Sequence, residues 1–67
     1  MPIKFLRINH VIAKIGLSRS TIYSKIEQGK FPRQVNVGER SVAWIESEID
    51  QWMTEHIEQR DKKLTLN

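Results

Sequence analysis

Sixty-seven residues make one small domain, and the absence of cysteine excludes a disulfide framework or a thiolate metal site. No apolar run approaches the ~20 residues of a membrane span and no signal-peptide stretch opens the chain, so a soluble cytoplasmic protein is expected. The net charge of +3 is unevenly divided: residues 1–45 hold eight basic side chains against Glu27 and Glu39, whereas residues 46–67 hold six acidic ones against Arg60, Lys62 and Lys63, so only the front of the chain suits a polyanion.

The first periodic segment is Ile8, Val11, Ile12 and Ile15, one face of a helix. Asn9 is expected to cap or open it, and Gly16 to close it in the left-handed conformation. Ser18 is a good N-cap for a second helix over about Arg19–Gln28, ended by Gly29. Its apolar face is narrow, Ile22 and Ile26 flanked by Tyr23. Ser20, Thr21, Ser24 and Gln28 point the other way. Pro32 forbids helical continuation. Val35 and Val37 then alternate with Gln34 and Asn36, and Val42 and Trp44 with Ser41 and Ala43, giving two strands around a Gly38-Glu39-Arg40 turn. A third helix is expected from near Ser47, which with Asp50 resembles a capping box. Glu48 and Asp50 suit the positive end of its dipole, and Arg60, Lys62 and Lys63 the negative end. Ile49, Trp52, Met53 and Ile57 form its core stripe. The domain is expected to span residues 1–60, with 61–67 a flexible tail in which Leu64 and Leu66 alternate with polar residues as a strand-like contact would.

Two short helices joined by Gly16-Leu17 make a helix-turn-helix signal. In such a motif the first helix braces the second, and the second lays its small polar face in the major groove. The hydroxyls of Ser18, Ser20, Thr21 and Ser24 can meet base edges, while Arg19 and Lys25 flank them toward phosphates. The following hairpin is a wing that brings Arg40 to a phosphate or the minor groove, with Lys30 and Arg33 on its approach. The plain alternative is an αα-hairpin with solvated serines. Trp44 and Trp52 are read as core.

The run Gly16-Leu17-Ser18-Arg19-Ser20-Thr21-Ile22-Tyr23, then Gly29-Lys30-Phe31-Pro32, then Val37-Gly38 and Arg40, then Trp44-Ile45-Glu46-Ser47-Glu48-Ile49-Asp50-Gln51-Trp52 resembles the AlpA-type phage regulatory proteins. These are similar to excisionases and to the DNA-binding domain of MerR-type regulators. The resemblance covers roughly residues 4–58. It implies a mainly α, MerR-like winged helix-turn-helix, three helices plus a two-stranded wing. It also implies recognition-helix contacts at Arg19, Ser20, Tyr23 and Ser24 and a wing contact at Arg40. Two departures stand out. Asn9 occupies a position where such proteins often have proline, and Ser20 and Ser24 replace the charged readers of related excisionases.

The resulting expectation is a sequence-selective binder of double-stranded DNA, acting in transcription or as an excision factor of a mobile element. A rival reading is an adaptor that docks a recombinase or RNA polymerase through the third helix or the tail. RNA binding is disfavoured because only Tyr23 and Phe31 could serve as stacking platforms. His10 and His56 stand on separate helices without a paired nucleophile, so neither an enzyme, a metal site nor a cofactor is expected. One reading head is too short to find a unique target, so weak or absent dimerisation in solution and cooperative multi-copy binding on DNA are expected.

Overall fold

The structure, a computed structural model, describes residues 2–65. A strand β1 (Phe5–Leu6) leads into α1 (Ile8–Ile15), a short turn and α2 (Arg19–Glu27). An antiparallel hairpin of β2 (Val35–Gly38) and β3 (Ser41–Ile45) follows, and then α3 (Glu46–Thr65). These are the expected three helices plus hairpin, in the order of a winged helix-turn-helix. The sheet has three strands rather than two. β1 pairs antiparallel with β3, so β3 is the middle strand of the order β1-β3-β2. The pair Leu6 and Trp44 stands in register across the added contact.

Helix α1 is not opened by Asn9. Arg7 is the N-cap, in extended conformation and without a side-chain cap, and its carbonyl accepts from the amides of His10 and Val11. β1 leads through this one residue into the helix, which leaves Asn9 in the first turn. At the other end Gly16 adopts φ 75°, and its amide donates to the carbonyl of Ile12 at 2.9 Å. An added Cβ there would meet nothing within 4 Å, so the demand for glycine is conformational.

The core is Leu6, Val11, Ile22, Phe31, Trp44 and Ile49, with Ile8, Ile12, Ile15, Leu17, Tyr23, Ile26, Val42, Trp52 and Met53 packed around it. Each full burial of such a side chain is worth about 1.5–3 kcal/mol. The expected alternation in β3 fails at Ala43, which is buried along with Trp44 because the middle strand is covered on both faces there. In β2, Val37 is exposed rather than half-buried. The register passes from Asn36↔Val42 to Gly38↔Ser41, making Val37 the extra residue of a bulge.

Helix α3 begins one residue before the expected cap, at Glu46, because β3 runs into it without a loop. With the Glu46 amide held by the Lys4 carbonyl at 2.8 Å and the helix already begun at Glu46, Ser47 lies within the first turn and does not cap. The helix does not stop near Arg60 but continues to Thr65 and includes Leu64. Leu66 and Asn67, and with them the strand-like contact expected of Leu64 and Leu66, lie outside the described residues. Of the expected stripe, Ile49 is buried and Trp52 and Met53 are half-buried, whereas Ile57 is 51% exposed because α3 has by then passed beyond the body of the domain. No helix among the described residues is long and apolar enough to cross a membrane.

Candidate nucleic-acid interface

Helix α2 is defined at both ends by side-chain and backbone chemistry legible in the sequence. The Ser18 hydroxyl accepts from the Thr21 amide at 3.2 Å and donates to the Thr21 hydroxyl at 2.8 Å. That engagement makes Ser18 and Thr21 parts of the cap as well as of the polar surface. At the C-terminus Gly29 takes φ 71°. Its amide donates to the Ile26 carbonyl and the Lys30 amide to the Lys25 carbonyl, the paired bonds of a Schellman motif. The motif fixes where Lys30 leaves the helix.

Ile22 is fully buried, and this pins the rotation of α2. Ser20 and Ser24 are consequently exposed, Thr21 and Lys25 half-buried, and together with Gln28 these five line one shallow surface. Gln28, not among the contacts read from the sequence, shares this surface by its i+4 spacing from Ser24, whose hydroxyl accepts from its side-chain amide at 3.3 Å. Tyr23 differs from its neighbours. It is half-buried with its ring edge-to-face on Trp44, centroids 6.0 Å apart, so the ring is part of the packing. Phe31 is buried, which removes it as a stacking platform for single-stranded bases.

Two tryptophans tie down the segment between α2 and the hairpin. The Trp44 indole N–H donates to the Pro32 carbonyl at 3.1 Å, and the Trp52 indole N–H to the Lys30 carbonyl at 2.8 Å. Trp52 also packs edge-to-face on Phe31 and lies against the His56 ring. The loop carrying Lys30 and Arg33 is thereby anchored to both β3 and α3, and Lys25, Lys30 and Arg33 line one side of an open groove whose far wall is α3. Arg19, the first residue of α2, and Arg40, in the hairpin turn, are exposed and stand apart from that groove.

Arg40 adopts φ 57°, an unusual conformation for a residue with a side chain, and it does so beside the Asn36–Gly38 bulge, where the Asn36 carboxamide oxygen accepts from the Gly38 amide. Lys14, by contrast, is taken out of the basic surface. Its ammonium bridges Asp50 at 2.8 Å and Glu46 at 3.2 Å, locking α1 to the start of α3. Hydrogen bonding to Asp50, then to Glu46, raises its pKa above the ordinary lysine value.

Comparison with known proteins supplies the family. Residues 4–57 match the family model of the prophage CP4-57 regulatory protein AlpA. The chain belongs to the AlpA family. It is 48% identical over 59 residues to the uncharacterized protein ORF88 of Enterobacteria phage P4, covering 88% of this chain and 67% of that protein. It is 37% identical over 59 residues to the DNA-binding transcriptional activator AlpA of Escherichia coli K12, covering 79% of this chain and 84% of that one.

Proposed function

We propose that this AlpA-family chain is a sequence-selective, duplex-DNA-binding regulator of a phage or other mobile element, acting in the cytoplasm. The observation that carries the reading is the surface of α2, where burial of Ile22 turns Ser20, Ser24 and Gln28 outward between Arg19 at one end and the anchored Lys30–Arg33 loop at the other. In this reading α2 enters the major groove, Arg19, Lys25, Lys30 and Arg33 hold phosphates, and the hairpin lays Arg40 against the backbone or minor groove. The relative described as a DNA-binding transcriptional activator supports it. Regulation of transcription, excision of the element, or both are the biological outputs.

A second contact belongs to the same reading. Ile57 is half-exposed on α3 among Glu55 and Glu58, a surface that DNA would repel and a protein could cover. Further copies of this chain on neighbouring sites, a recombinase or RNA polymerase are the partners it suits. The test is a gel-shift series with the element's own promoter and attachment-site duplexes against excess random duplex. Selective retardation is expected. Failure to retard any duplex at low salt would leave the adaptor reading, with α3 as the working surface.

A further inference from the structure

Gln28 was not among the contacts that sequence or resemblance assigns, and the structure gives it a setting that its neighbours lack. Ser20, Ser24 and Gln28 stand at i, i+4 and i+8, one line along the exposed side of α2. Gln28 is the C-cap but keeps a right-handed helical backbone, φ −83° and ψ −2°, and its amide donates to the Ser24 carbonyl at 3.2 Å. It therefore continues the line instead of turning away from it. Ser20 and Gln28 are thus eight residues apart, about 12 Å along the helix axis at 1.5 Å per residue.

Chemistry separates the members of the line. A serine hydroxyl both donates and accepts, so Ser20 and Ser24 tolerate several base edges. A carboxamide presents one donor side and one acceptor side at fixed spacing, which matches the N7 acceptor and N6 donor of adenine. One Nε2 hydrogen of Gln28 is held by the Ser24 hydroxyl at 3.3 Å, which restricts the side chain to the groove-facing line. The second Nε2 hydrogen and the Oε1 oxygen remain for a base.

We propose that Gln28 is a specificity-determining residue that reads adenine through a bidentate contact, oriented by Ser24. The proposal rests on the reading of α2 as the major-groove helix. Binding-site selection from random duplexes, with wild type and with Gln28→Ala and Gln28→Glu, tests it. The selected site is then titrated with 7-deazaadenine, which lacks the N7 acceptor, at each adenine in turn. In Gln28→Ala one adenine position loses its preference while the others persist. Gln28→Glu moves that position toward cytosine, whose N4 donates to a carboxylate. Wild type weakens on the order of 10-fold with 7-deazaadenine at that position, the scale of a bidentate base contact, and Gln28→Ala is indifferent to it. Unchanged selection by Gln28→Ala, or equal sensitivity of both proteins to 7-deazaadenine at every adenine, overturns the assignment. A wild-type protein that selects no sequence overturns it together with the DNA-reading assignment beneath it, and the two failures are distinct in the data.

Discussion

Trp44 and Trp52 were both legible as apolar residues in phase with a core, yet they differ in what they do. Trp44 has no exposed surface, so Trp44→Ala should cost about 3–5 kcal/mol, comparable to the whole stability of a domain this small. Circular dichroism should show it unfolded. Trp52 is half-buried, and its indole N–H holds the Lys30 carbonyl. Trp52→Phe keeps most of the ring packing and loses that one bond, worth about 1 kcal/mol. The variant should remain folded and bind DNA more weakly, because Lys30 and Arg33 lose an anchor. Unaltered affinity would mean that the loop needs no tether from α3. Arg40 permits a cleaner separation of charge from fold. At φ 57° glycine is free of the strain a side chain incurs, so Arg40→Gly should be at least as stable as wild type. Its binding to every duplex should nevertheless weaken, and the log–log salt slope should flatten by about 0.9, one phosphate contact. A stable Arg40→Gly with an unchanged slope would place the arginine in solvent.

At the level of elements, what could be read was whatever local chemistry decides. The Ser18 cap, the left-handed Gly16 and Gly29 and the Pro32 break all act within one turn of chain, and each lies where the sequence placed it. What could not be read depends on partners distant in sequence. β1 is two residues long and exists only because Phe5 and Leu6 meet Ile45 and Trp44. The capping signal of Ser47 and Asp50 was overridden because β3 pairs with β1 up to Ile45 and runs straight into the helix, and because Asp50 turns to Lys14. The same holds for the interface. Ser20 and Ser24 follow from helical phase, but the anchoring of Lys30 and Arg33 by two indoles required the tertiary fold. The Lys14 clamp yields a prediction at this scale. Its folded-state pKa is raised, so its contribution to stability is fully present below the ordinary lysine pKa of about 10.4 and is lost as pH rises through the raised value. Lys14→Met should therefore melt below wild type near neutral pH, with the gap closing at strongly alkaline pH. A gap that persists there would assign the loss to packing of the lysine stem rather than to the ion pairs.

On the proposed reading, the described residues hold one DNA-reading helix and one hairpin, and no second such pair. Such a module contacts about five base pairs, a site recurring roughly once in a thousand positions, while a genome offers on the order of a million or more competitors. Discrimination of that size demands additional contacts, which on the proposed reading other copies or a partner supply. Among the described residues the large apolar side chains exposed for them are Ile57 on α3, Ile3 and Phe5 around β1, and Val37 in the hairpin, at 51%, 72%, 50% and 43% exposure. These are four single side chains, of which only Ile3 and Phe5 lie close in sequence. Four such side chains fall far short of the roughly 20–30 residues a side that a standard-size interface uses. Contacts this limited gain their effect when DNA already holds two copies side by side and raises their effective concentration. Sedimentation without DNA should therefore find monomer or weak dimer. Footprinting on target DNA should show several adjacent sites filling together, and Ile57→Glu should separate them into independent, weaker sites without changing binding to a single one. A tight dimer in solution occupying one isolated palindrome would sink the multi-copy reading, since the discrimination would then come from a preformed pair of reading helices.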